Sequence, residues 1–183
     1  MTTEGEIRET RVVLAGQTMH VFEAGDLFAD LNGYSLLIDA GGVNVHPSFL
    51  TINTDPQSGG NSPSQTTAGH VSQAGSELLF GYVPGEMVAA VVLEAPLKTV
   101  GETALDVTLL DGEGTVAQTT ISLQGRNPKA VLVRDLFPEL ELPAHGGLLV
   151  SAADGTKLVG TTFVFKVQGE PSMSAAASTR FRP

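Results

Sequence analysis

The chain is poor in most of the chemically specialised residue types. Its 183 residues include no cysteine and no tryptophan, 2 tyrosines, and 10 Lys and Arg against 20 Asp and Glu, a formal net charge of -10. Without cysteine there is neither a disulfide framework nor a thiolate metal site, which leaves the redox compartment open. The excess of acid argues against nucleic acid, where Lys and Arg must neutralise phosphates, and against anionic lipid surfaces. The longest apolar run, residues 87–93, is far below the ~20 residues of a membrane-spanning helix. Residues 1–6 carry neither the basic nor the apolar region of a secretory signal, so export would imply a processed or excised piece.

What the chain does contain is a copy of itself. Shifted by 109 positions, residues 5–31 fall on 114–140, and Thr10, Leu14, Gly16, Asp26, Leu27, Phe28 and Leu31 recur as Thr119, Leu123, Gly125, Asp135, Leu136, Phe137 and Leu140. After a small length difference, residues 33–38 run parallel with 146–150, and 48–52 with 161–165. A self-match at domain-sized spacing marks a duplicated folding unit, and such chains usually do mechanical or binding work. In the second copy residues 77–110 precede the Asp111-Gly112 turn, whereas the counterpart of Asp111 in the first is Thr2. The first copy therefore reads as a module lacking its early strands.

The local pattern is β throughout. Residues 105–109 alternate apolar and polar, Asp111-Gly112-Glu113-Gly114 reverses the chain, and 116–123 alternate again, which is a hairpin. Residues 78–83, 87–93, 130–133, 148–150 and 158–167 read as further strands, with Asp154-Gly155 as another turn. One helical turn is expected over 134–140, echoed at 25–31, with Asp135 capping it and Leu136 and Phe137 entering the core. About seven short strands in a ~90-residue unit predict antiparallel β-sandwich modules, one complete and one lacking its first strands. The domain reading is a partial module over 1–55, a Gly/Ser/Pro/Gln-rich linker or long loop over 56–76, a complete module over 77–168, and a tail over 169–183.

Chemistry-bearing motifs are thin. His20, His46, His70 and His145 stand far apart and none has ligand spacing. There is no Gly-x-Ser-x-Gly elbow or phosphate-binding loop, and the Gly112/Gly114 pair sits in a hairpin turn. Asp111 with Glu113, and Asp135 with Glu139 and Glu141, could offer oxygens to calcium but lack a regular ligand pattern, so they read as solvated acidic turns. No catalytic residue, metal or cofactor is expected.

Leu78-Leu79-Phe80, the hairpin from Val107 to Gly114, Asp135-Leu136-Phe137-Pro138 and Gly147-Leu148-Leu149-Val150-Ser151 together resemble tandem immunoglobulin-like or fibronectin type III-like β-sandwich modules of bacterial extracellular and surface proteins. An Asn-Pro-like turn usual in those modules is replaced here by Glu94-Ala95-Pro96. The resemblance implies secretion or surface display and a structural or adhesive role, and supplies no catalytic residue. The expected function is a non-enzymatic structural repeat that self-associates end to end in an array or filament, with strand complementation between subunits as the candidate joint. Thr179, Arg180, Phe181 and Arg182, which resemble the start of the second copy, are the expected interaction residues and a candidate first strand of a next module. The alternative is a carbohydrate- or ligand-binding accessory module, for which Tyr34 and Tyr82 would have to provide the glycan platform.

Overall fold

A computed structural model describes residues 8–16, 18–28, 36–43, 45, 48–51, 64–67, 73–165 and 171–179. In chain order the elements are α1 (Ala24–Leu27), β1 (Ser48–Thr51), β2 (Ser64–Thr67), β3 (Glu77–Val83), β4 (Val88–Glu94), β5 (Glu102–Leu110), β6 (Thr115–Gln124), β7 (Lys129–Leu132), α2 (Val133–Leu136), β8 (Gly146–Ala152), β9 (Val159–Phe165), β10 (Pro171–Ala176) and β11 (Ser178–Thr179). The fold is all-β and its strand pairings are antiparallel. One larger sheet has the order β10-β9-β4-β7, the other β11-β3-β8-β5-β6, and β1 and β2 form a two-stranded sheet.

Period-two alternation gives β4, β5 and β8 one buried face each. Ala89, Val91 and Leu93 of β4, Leu105, Val107 and Leu109 of β5, and Leu148 and Val150 of β8 are buried, and the residues between them are more exposed except Thr108, which is buried as well. These side chains, joined by Leu78 and Phe80 of β3 and Val164 of β9, belong to a single hydrophobic cluster fed by both sheets. Each such side chain contributes about 1.5–3 kcal/mol when fully buried. A Cβ on Gly160 of β9 would lie 2.7 Å from Cζ of Phe80, on the other larger sheet, and 3.1 Å from the carbonyl oxygen of Val92 on the neighbouring strand, so a side chain there would have to displace the Phe80 ring.

The seven strands expected over 77–168 are β3 to β9, and their distribution between sheets has one notable feature. In the immunoglobulin arrangement the first, second and fifth strands share a sheet, and the third, sixth and seventh share the other. Here the first strand, β3, joins β8 and β5, while the last, β9, joins β4 and β7. The strand order therefore differs from that arrangement at the first and last strands.

Two stretches differ from the sequence expectation. Ser64–Thr67 lies in the stretch read as a linker, yet it pairs with β1. Pro171–Ala176, in the tail, runs back along β9 and extends its sheet. The helical turn α2 is present with Leu136 and Phe137 buried, but Asp135 is not its cap. The helix starts directly from β7, so Leu132 takes the N-cap position without a side-chain bond, and Asp135 falls inside the first turn, 3.7 Å from Arg134 Nε. A carboxylate there still complements the amide end of the turn.

Candidate functional site

Both copies of the repeat can be compared element by element. Helix α1 shifted by 109 positions is α2. The amide of Val43 donates to the Ala40 carbonyl at 3.1 Å, and at the matching place in the second copy Gly155 donates to Ala152 at 3.0 Å. Strand β1 pairs with β2 as β9 pairs with β10: Ser48↔Thr67 and Thr51↔Ser64 correspond to Thr161↔Ala176 and Val164↔Met173. This last recurrence extends the repeat into residues whose side-chain types give no hint of it. Only the constant offset of β2 from β10 could have revealed it.

What fails to recur is the pairing made with residues 77–110. The counterparts of β6, β7 and β8 in the first copy are residues 6–15, 20–23 and 34–40, and their described residues form no strand. In the complete module β6 pairs with β5, β7 with β4, and β8 with β3 and β5. β9 pairs with β4 and β10. Strands β6 to β9 thus make no ladder among themselves, and every partner they need apart from β10 lies in residues 77–110.

The consequence is a set of exposed apolar side chains. Leu123, Leu148 and Val150 are buried to 1%, 0% and 0%, but their counterparts Leu14, Leu36 and Ile38 are exposed to 47%, 51% and 56%. Val12, Val13, Met19, Val21, Phe22, Leu37 and Val43 are exposed as well. Exposed apolar residues of this size and number are a feature of surfaces that meet a partner when they form one patch.

The remaining candidates have local explanations. Asp111 Oδ1 accepts the amides of Glu113 at 2.8 Å and Gly114 at 3.0 Å, which closes the β5–β6 turn. Lys98 Nζ donates to the Glu102 carbonyl at 3.0 Å, to Thr103 Oγ1 and to Asp154 Oδ2 at 2.9 Å, clasping the loop before β5 to the turn after β8. The Asp154 carboxyl is held at about 2, below its usual 3.8, first by the Thr156 hydroxyl, then by the Lys98 ammonium and the Thr156 amide. His20 packs edge-on to Phe22 at 4.8 Å, and His145 is exposed in the turn before β8. Among the described residues no three His, Asp or Glu side chains gather as a metal site, and no helix is long and apolar enough to cross a membrane. Tyr34, His46 and His70 lie outside the described residues, as does the side chain of Tyr82.

Of the expected interaction residues, Thr179 lies in β11, where Ser178 and Thr179 pair with Leu79 and Leu78 of β3 in the same chain. Arg180, Phe181 and Arg182 lie outside the described residues. The long edge of the five-stranded sheet is β6, ten residues without a charge or a proline. Such an edge is open to pairing. Lys129 Nζ covers part of it by donating to the Ser122 carbonyl at 3.0 Å.

No family of known proteins matches this chain, and no curated protein does. Among solved structures, the crystal structure of Thermotoga maritima 1070 overlays with a TM-score of 0.47 at 8% identity, covering 58% of this chain and 96% of that one.

Proposed function

We propose that this chain is a non-enzymatic structural repeat of the cell surface or extracellular space. Its modules are β-sandwiches of the immunoglobulin-like kind with the first and last strands placed differently, joined end to end by strand complementation between neighbours. One observation carries this reading: Leu14, Leu36 and Ile38 stand in water where their counterparts in the complete module are buried. Leaving a side chain of this size exposed forgoes about 1.5–3 kcal/mol, so the first copy gains substantially from any partner that covers it. The single cluster fed by both larger sheets supports the sandwich. The use of the Asp111 and Asp154 carboxylates in turn closure supports a structural role over a chemical one.

Sedimentation of the purified chain across a concentration series tests the proposal. The mass is expected to rise with concentration, and the double change Leu36→Asp with Ile38→Asp is expected to weaken association at least about tenfold, because a buried unpaired carboxylate is strongly unfavourable. A chain that stays monomeric at about 100 μM, a concentration that populates even weak micromolar contacts, sinks the reading.

A further inference from the structure

We infer that β6 is a second, symmetric interface, at which the β6 edges of two chains pair antiparallel and join their five-stranded sheets into one. The inference goes beyond the assembly reading and does not rest on it. The two larger sheets end in four edges, and three of them are blunted. β11 is two residues long, β7 runs after four residues into α2, and β10 begins at Pro171 with a shifted register and has β2 against it. Apart from the Lys129 bond at Ser122, β6 has no such protection along its ten residues. Nor is its neutrality a property of the repeat, because the counterparts of Gln118 and Thr120 in the first copy are Glu9 and Arg11.

The backbone of β6 is set for this pairing. Gly125 donates its amide to the Gly101 carbonyl one step beyond the Glu102↔Gln124 pair, so alternation turns the odd-numbered residues of β6 toward β5 and the even-numbered ones outward. The bond from Lys129 Nζ to the Ser122 carbonyl agrees, and that oxygen can take a second donor. Gln118, Thr120 and Ser122 therefore offer their N–H and C=O groups to a neighbour. With a two-fold axis at Thr120, this residue faces its own equivalent, Gln118 faces Ser122, Thr119 faces Ile121 and Ala117 faces Leu123. Polar side chains meet on the outer face, while Ala117 and Ile121, only partly buried against the core cluster, gain cover on the inner one. Within a chain of net charge -10, this strand sets no like charges opposite each other. At its ends the same axis brings the turn holding Asp111 and Glu113 to the loop of the second chain that holds Arg126, so opposite charges meet there.

The test uses the full chain carrying Leu36→Asp and Ile38→Asp, which weakens contact through the apolar residues of the first copy. Sedimentation is expected to show a monomer–dimer equilibrium with dimer well populated at about 100 μM. Thr120→Lys and Thr120→Glu, each added to that background, should weaken dimerisation at least about tenfold, because like charges then face each other across the axis. An equimolar mixture of the two should restore it. A monomer at about 100 μM overturns the inference, as does dimerisation that neither charge changes, or a mixture no tighter than its components. Thr120→Cys, in a chain otherwise without cysteine, serves where the charged variants fold poorly. Facing Cα atoms in such a ladder stand about 5.5 Å apart, so oxidation should link two chains at this position, and its failure to do so overturns the inference. The assembly reading fails alone if the unmodified chain stops at a dimer that Thr120→Lys abolishes. Assembly lost with Leu36→Asp and Ile38→Asp but untouched by Thr120→Lys does the reverse.

Discussion

Identical residues in the two copies meet different surroundings, and the difference isolates what each residue owes to its neighbours. Gly125 holds φ +54°, donates its amide to the Gly101 carbonyl at 2.7 Å, and sits so near Thr99 that a Cβ would lie 3.2 Å from its carbonyl oxygen. Gly16, its counterpart, has nothing within that range. Gly125 is thus explained by the loop before β5. The clasp by Lys98 belongs to the same loop and gives a pH prediction. Because Asp154 titrates near 2 in the folded chain and near 3.8 otherwise, its ionised form favours the folded state above that window, and the contribution fades as pH falls through it. Asp154→Asn keeps an oxygen for the Thr156 amide but removes the charge facing Lys98. Its melting temperature should therefore lie slightly below that of the natural chain at neutral pH and converge with it at about pH 2. A difference independent of pH, read by calorimetry, would show that the clasp acts through shape instead of charge.

At the scale of elements, what was legible in the sequence divides along the reach of the interaction. Alternation and Asp-Gly turns marked β3 to β9, because a strand with one buried face must alternate and a hairpin must reverse on residues that tolerate its geometry. Helix α2 was legible through Leu136 and Phe137, whereas the cap was not, since the helix leaves β7 without a break and no residue near Leu132 signals that. Strand β2 was hidden because Ser-Gln-Thr-Thr reads as linker, and only its offset from β10 ties it to the repeat. The placing of β3 beside β8 and of β9 beside β4 was illegible for another reason: alternation says which face is buried but not which neighbour a strand takes. Residue correspondence alone paired Leu14, Leu36 and Ile38 with Leu123, Leu148 and Val150, and their exposure needed the structure. Truncations should separate the copies in the same way. Leu148→Ala, which empties a fully buried site, is expected to cost about 2–5 kcal/mol in denaturant unfolding. Leu36→Ala, at the matching but exposed site, should change unfolding of the isolated chain by less than about 0.5 kcal/mol. Comparable losses at both positions would mean that the first copy is already packed.

For the whole molecule, charge and apolar exposure pull in opposite directions. Each chain carries a formal charge of -10 with a pI near 4.7, so two copies repel while the side chains around Leu14 and Leu36 favour contact. Added salt acts on these forces unequally. Raising ionic strength from 0.1 M to 1 M shortens the screening length from about 10 Å to about 3 Å, which removes long-range repulsion and leaves apolar contact intact. An interface built by covering Leu14, Leu36 and Ile38 should therefore tighten with sodium chloride, and tighten again as pH is lowered toward the pI, with sedimentation at fixed protein concentration as the readout. An interface held by ion pairs through residues such as Arg8, Glu9 and Arg11 should loosen over the same range. Tightening in salt together with loss of association in the Leu36→Asp, Ile38→Asp variant would place the driving force in the apolar set. Loosening in salt would assign it to the charged residues of the first copy and leave the apolar ones without a role in assembly.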